Sequence, residues 1–216
     1  MILVVGRPGL DEQGGLAGTA GLIARTAAES GARAELVGSV GDDAEGDAVA
    51  LALGRAGIGH AALLRDPAGT TPRRGGEGGR LPRLEAADLE LGLSYLTECR
   101  VIVVAEPLEA SAIAAAAEAA SYHAAVLVVV TAPGSGAGTP GTGAGTPGTG
   151  ADTRGTPAPE MPALPATATV LEPPLADDGP FAALVGRYAA QLDAGRQPAD
   201  AWHEALTGTS WETIAE

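Results

Sequence analysis

Residues 14–46 read GGLAGTAGLIARTAAESGARAELVGSVGDDAEG, and the order of small, apolar and acidic residues in them decides the fold. Gly14-Gly15 marks a turn, after which Leu22, Ile23 and Ala27 recur at the spacing of one helix face until Gly31 stops the helix. Residues 34–37 form a short apolar run of strand type, followed by Gly38-Ser39-Val40-Gly41. Asp42 and Asp43 come next, placed to accept the free N–H groups of a helix over residues 44–56 and to meet the positive end of its dipole. Capping alone accounts for both carboxylates. Turn, helix, strand, acidic cap and helix in this order is the pattern of a parallel α/β unit.

The flanking sequence extends that pattern. Residues 2–5 are continuously apolar and rich in β-branched side chains, as a strand covered on both faces requires. A third strand is expected over residues 60–64, then a Gly/Arg-rich loop over 69–83 and a helix over 84–96. A strand over 101–105, an Ala-rich helix over 109–122 and a strand over 125–131 complete five strands before residue 132. Alternation of this kind, with short turns, favours right-handed crossovers and a mostly parallel sheet.

The character of the chain then changes. Residues 134–165 are dominated by Gly, Thr, Ala and Pro, and the heptapeptide at 136–142 repeats without change at 143–149. Such a segment has little to bury and reads as a disordered linker, whose roughly thirty residues span on the order of 30 Å. That is enough to return the chain to the same sheet. The expected organisation is therefore a core over 1–132, a linker over 133–165, and a segment over 166–216 that completes the core. This last segment opens with a strand over 166–171 and continues with helices over 181–194 and from 198 to about 206. Phe181, Leu184, Val185, Tyr188 and Leu192 line one face of the first helix. Phe181, Tyr188, Trp202 and Trp211 read as anchors of this segment to the main body, with a dimer contact as the alternative.

Composition excludes several classes of function. The formal charge of −14 leaves no basic footprint for nucleic acid or an anionic membrane. No stretch approaches the length of a membrane span or a signal segment, and a cytoplasmic protein is expected. All 13 basic residues are Arg, so neither a phosphate-binding nor a Schiff-base lysine is available, and the chain also lacks Asn. The single Cys99 rules out an intrachain disulfide and reads as a small buried hydrophobe. His60, His123 and His203 have no metal-ligand spacing, and no metal site is expected. Residues 136–141 match the dinucleotide pattern G-x-G-x-x-G in form only, since they lie in a repeat, contain Pro and open no helix.

The glycine turn, the small first helix and Gly38-Ser39-Val40-Gly41-Asp42-Asp43 with Gly46 resemble the N-terminal signature of the ribokinase (PfkB) family of sugar and nucleoside kinases. A second block is similar to the family's anion-hole helix and its successor: a strand, a tight turn, then FAALVxxYAAxLDAG and Pro198-Ala-Asp-Ala. The resemblance implies a ribokinase-like, Rossmann-like α/β sandwich of three layers, a small sugar-like ligand, and ATP with Mg²⁺ if the chain is active. It also assigns roles. Asp11, five positions after Gly6, corresponds to the acid that accepts from sugar hydroxyls, and Gly14, Gly15 and Thr19 lie on the substrate-binding turn. Glu106-Pro107 falls where relatives present a sugar-contacting acid, although a strand-to-helix turn suffices to explain it.

Departures from the family pattern are as informative. Only Glu12 and Gln13 separate Asp11 from the Gly-Gly turn, so the β-lid over the sugar is missing. Leu16 and Thr19 stand where the family's G-G-K-x-x-N has a lysine-like residue and Asn, and Thr lacks the paired donor and acceptor of an amide. The family's G-A-G-D turn, whose glycines hold phosphoryl charge and whose Asp is the base, is here Ala176-Asp177-Asp178-Gly179. The base position is thus Gly179, with Asp178 as the fallback in a shifted register, and two carboxylates stand where an anion should bind. The linker replaces the strands that shape the nucleotide pocket. The expectation is a shortened, degenerate homologue that needs no cofactor and acts by binding or assembly. An active ATP-dependent sugar or nucleoside kinase is the alternative. A shortened sheet leaves an edge that calls for cover, so a homodimer is expected.

Overall fold

The computed structural model describes residues 1–76, 78–133, 162–175 and 179–207. The chain opens with β1 (Ile2–Val5), a hairpin of β2 (Gly9–Leu10) and β3 (Leu16–Ala17), α1 (Gly18–Glu29), β4 (Ala34–Gly41), α2 (Ala44–Arg55) and β5 (Gly59–Asp66). It continues with α3 (Ala86–Tyr95), β6 (Val101–Val104), α4 (Ala110–Tyr122), β7 (Val126–Val130), β8 (Thr169–Leu171), α5 (Pro180–Asp193) and α6 (Pro198–Leu206). Six strands form one sheet in the order β5-β4-β1-β6-β7-β8, with every pairing parallel.

The apolar runs are continuous because the sheet is covered on both faces. Ile2 and Val4 turn into one core with residues of α1, α2, α5 and α6. Leu3 and Val5 turn into the other, with Leu89 and Leu93 of α3 and the alanines of α4. The result is the three-layer α/β sandwich that the sequence predicts.

Small side chains let the layers approach closely. Ala24 and Ala27 of α1 pack in the same core as Ala189 and Ala190 of α5, and Ala112, Ala116 and Ala120 of α4 lie against the opposite face. Tyr188 of α5 is buried beneath the indole of Trp202 from α6, with ring centroids 5.2 Å apart in a T-shaped contact. Phe181 is buried as well. Three of the four aromatic residues in the C-terminal segment thus act as anchors, and Trp211 lies outside the described residues.

Element boundaries differ from expectation in instructive places. Rather than stopping at Val37, β4 continues through Gly38 to Gly41. Gly38 lies within the strand and must be glycine there, because a Cβ would overlap the carbonyl oxygen of Gly6 at the end of β1. The helix that follows is capped as predicted: the Asp43 carboxylate accepts from Gly46 N–H at 2.7 Å. The segment from Gly9 to Ala17, too short for a lid, closes as a two-rung antiparallel hairpin. The long loop after β5 is tied to this hairpin, with Leu10 N–H bonded to Pro72 O at 2.9 Å and Arg74 N–H to Leu10 O at 2.8 Å. Residues 134–161, most of the repeat linker, lie outside the described residues. No helix among the described residues is long and apolar enough to cross a membrane.

Candidate functional site

The chain leaves β1 through α1 toward β4 on one side, and β6 lies against β1 on the other, so the strand order reverses between β1 and β6. Crevices outside the carboxyl ends of strands at such a switch point are where open α/β sheets bind ligands. The residues that leave these two strand ends meet here. Glu106, beyond β6, accepts from Arg7 N–H at 2.8 Å and from Arg7 Nη1 at 2.9 Å, both through Oε1. Arg7 also donates from Nε to the Pro82 carbonyl at 2.5 Å, which ties the loop before α3 to the switch point. Burial pushes the Glu106 carboxyl above its ordinary range, and the charge and hydrogen bonds of Arg7 oppose that rise.

Beside this pair lies a cleft of about 250 Å³ whose lining includes Thr19, Glu106, Thr131, Pro173 and Leu175. It is smaller than the roughly 300–1,000 Å³ typical of drug-sized ligands. Its polar groups are hydroxyls and a carboxylate, chemistry that exchanges hydrogen bonds with alcohols. Thr19 reaches it from the first turn of α1, and Pro173 and Leu175 reach it from the turn after β8, so the cleft draws on both blocks of the sequence.

The other expected residues fall nearby in different roles. Asp11 closes the β2–β3 turn: its Oδ1 accepts from Gly15 N–H at 2.7 Å and Gln13 N–H at 2.9 Å. Gly14 donates to the Asp11 carbonyl at 3.2 Å. Asp11, Gly14 and Gly15 are therefore a hairpin turn, and none of them lines the cleft beside Thr19. Leu16 is buried in the core. Gly179 caps α5 in the left-handed conformation, with φ of 111°, and a Cβ there would stand 3.2 Å from Leu22 on α1. Asp177 and Asp178 lie outside the described residues.

Arg7 and Thr131 were not legible as site residues. Gly6-Arg7-Pro8 reads as a strand terminator and Thr131 as a strand end, and only the sheet order brings them toward Glu106. Glu106 does occupy the strand-to-helix turn that explains its position, and it holds Arg7 in addition. Cys99 is buried, as expected. Among the described residues no group of three His, Cys, Asp or Glu could hold a metal ion.

The first residue of α5 is Pro180, which has no N–H, and Asp177 and Asp178 precede Gly179 in the sequence. Among the described residues β8 is the edge strand of the sheet.

No protein-family model and no curated protein sequence matches the chain. Solved structures do. An E. coli protein described as a ribokinase II, solved with ATP and Mg²⁺, aligns over 94% of this chain and 89% of its own at 11% identity, with a TM-score of 0.59. A protein described as Sa239 aligns over 93% and 89% at 12% identity, with a TM-score of 0.60. The apo form of an E. coli ribokinase II aligns over 60% of this chain at 13% identity and a TM-score of 0.48, and the match spans about half, 52%, of that protein's length. At such identities the likeness establishes a ribokinase-like fold and nothing finer.

Proposed function

We propose that the chain is a carbohydrate-kinase homologue that no longer transfers phosphate and acts by binding a small polyhydroxylated ligand or by assembly. The observation that carries this reading is the entrance to α5, where Pro180 removes a donor and Asp177 and Asp178 precede Gly179 at the base position. Negative charge at a helix N-terminus opposes a phosphoryl group there instead of stabilising it. Nothing in this reading calls for ATP, Mg²⁺ or another cofactor.

The switch-point cleft supports binding of a sugar-like ligand. Thr19 and Thr131 bring hydroxyls to it, and no hydrogen bond among the described residues reaches Oε2 of Glu106, which leaves an acceptor for a sugar hydroxyl. Asp11, Gly14 and Gly15 form the β2–β3 turn that precedes Thr19 outside this cleft, with Asp11 holding the turn's shape. An active ATP-dependent sugar or nucleoside kinase is the second reading, and the shared fold with the ATP- and Mg²⁺-bound protein is what favours it.

Thermal unfolding separates the two, because a ligand that binds only the folded state raises its melting temperature. Sugars or polyols added without nucleotide are expected to raise it, and ATP with Mg²⁺ alone is not. Stabilisation by ATP and Mg²⁺ that saturates at micromolar concentration would overturn the reading.

A further inference from the structure

The two edges of the sheet are protected very unequally. At one edge β8 has three residues and is followed by Pro173-Pro174. Short edge strands and prolines are among the devices that discourage added pairing. At the other edge β5 has eight residues, and its stretch from Gly59 to Leu64 contains no Pro and no Lys, Arg, Asp or Glu. Alternate residues of a parallel edge strand point both backbone polar groups outward, so among the described residues β5 presents an open ladder.

The elements that flank β5 present apolar groups of their own. Among the described residues six large hydrophobic side chains are exposed. Four of them, Leu51, Leu81, Leu91 and Tyr95, belong to α2, to α3 and to the loop entering α3, the elements that cover the two faces of the sheet beside this edge.

Charge on α2 indicates what covers the edge. Asp47, Leu51 and Arg55 recur at i, i+4 and i+8; Asp47 is 78% exposed and is bonded through Oδ1 to Arg65 of β5 at 2.6 Å, and Leu51 is 55% exposed. Arg55 is also exposed and has no carboxylate within ion-pair distance among the described residues. The stripe is acidic at one end, apolar in the middle and basic at the other, and is symmetric about Leu51. It therefore complements an antiparallel copy of itself.

We propose that β5 and α2 form an isologous interface with a second copy of this chain. The two β5 strands pair antiparallel about a twofold axis, and the two sheets join into one. On one face the α2 helices lie antiparallel, with Leu51 against Leu51 and Asp47 of each copy facing Arg55 of the other. A twofold axis makes every such contact occur twice. On the opposite face the exposed Leu91 and Tyr95 of α3 lie near the same axis. This interface does not depend on the ligand reading above.

Sedimentation velocity on the full chain tests it, since a dimer gives a species of twice the chain mass. Ala61 is exposed on β5, so Ala61→Lys is accommodated in the folded monomer while placing a charge in the new ladder; it is expected to give monomer. Arg55→Asp, which sets like charges opposite each other twice, is expected to weaken the dimer at least about tenfold. Arg55→Lys, which keeps a positive charge opposite Asp47 and leaves the Asp47–Arg65 pair in place, is expected to retain the dimer. Circular dichroism confirms that each variant is folded. A wild-type chain that stays monomeric at about 100 μM, well above the micromolar range of specific complexes, would overturn the proposal. So would a dimer indifferent to Ala61→Lys and Arg55→Asp, which would place the contact elsewhere.

Discussion

The two wings of the sheet on either side of β1 are built differently. On one side β4 and β5 run eight residues each, and their turns are held by a dense polar network. Asp43 caps α2 and accepts from both Thr71 N–H at 2.8 Å and Thr71 Oγ1 at 2.7 Å, while Thr71 Oγ1 is in turn bonded by Gly41 N–H at 2.8 Å. On the other side β6, β7 and β8 have four, five and three residues, and α5 is held by aromatic packing with α6. The first wing is a framework of caps and close approaches that any βαβ unit needs. The second is where the chemistry implied by the family resemblance would sit, and there the strands shorten and the turn departs from the pattern. The difference teaches that a fold signature and a catalytic signature can be read separately, because they rest on different residues.

Substitutions can break this comparison, and the largest effect is expected in the second wing. Tyr188→Ala removes a buried ring together with its contact to Trp202, and a loss of about 4 kcal/mol in denaturant-derived stability is expected. An effect below about 1 kcal/mol, the size of a surface change, would mean that this wing is not held by its aromatic residues.

In the first wing Gly38→Ala forces a methyl group against the Gly6 carbonyl, and about 3 kcal/mol is the expected cost, near the upper range of overpacking. A neutral result would show that β1 and β4 are not in the close contact described.

Asp43→Ala is expected to cost about 2 kcal/mol, since it removes a cap and leaves Thr71 donors without their acceptor. Its charge also gives a pH signature. Burial would raise the Asp43 carboxyl, but hydrogen bonds from Thr71 and Gly46 and the charge of Arg65 hold it below its ordinary value of 3.8. The stabilisation is therefore present above that value and lost as pH falls through the lower folded-state value. Asp43→Asn should flatten this acid limb in unfolding curves taken between about pH 2 and pH 5.

The smallest effect, of opposite sign, is expected at the switch point. The Glu106 carboxyl is raised from its ordinary value of 4.5, so the folded state holds that proton more tightly than the unfolded chain does. Its contribution is present below 4.5 and is lost as pH rises through the higher folded-state value. Glu106→Gln should remove this decline while leaving the Asp43 limb in place. If both limbs survive the substitution, Glu106 is not the group behind the second limb.

Much of the fold was legible because periodicity and punctuation are local. Ile2 to Val5, the helix face of Leu22, Ile23 and Ala27, and the Asp43 cap each declare themselves within a few residues. The hairpin of β2 and β3 did not, since strands of two residues have no period to read. Nor did the continuation of β4 through Gly38, because glycine reads as a turn unless the approach of Gly6 is known. The site was legible only in part. Thr19 could be placed from the resemblance, but Arg7 and Glu106 are 99 positions apart and meet only through the order of β1 and β6. Asp11 was visible as an acid at the right spacing, yet its hydrogen bonds to Gln13 and Gly15 depend on a turn that spacing alone does not specify.

The proposed function is a framework without phosphate transfer. Its most direct test is release of ADP from ATP and Mg²⁺ in the presence of a panel of sugars and nucleosides. The account predicts no release above that seen with ATP and Mg²⁺ alone, for the wild-type chain and for Asp178→Ala equally. Turnover with any acceptor that Asp178→Ala abolishes would contradict it.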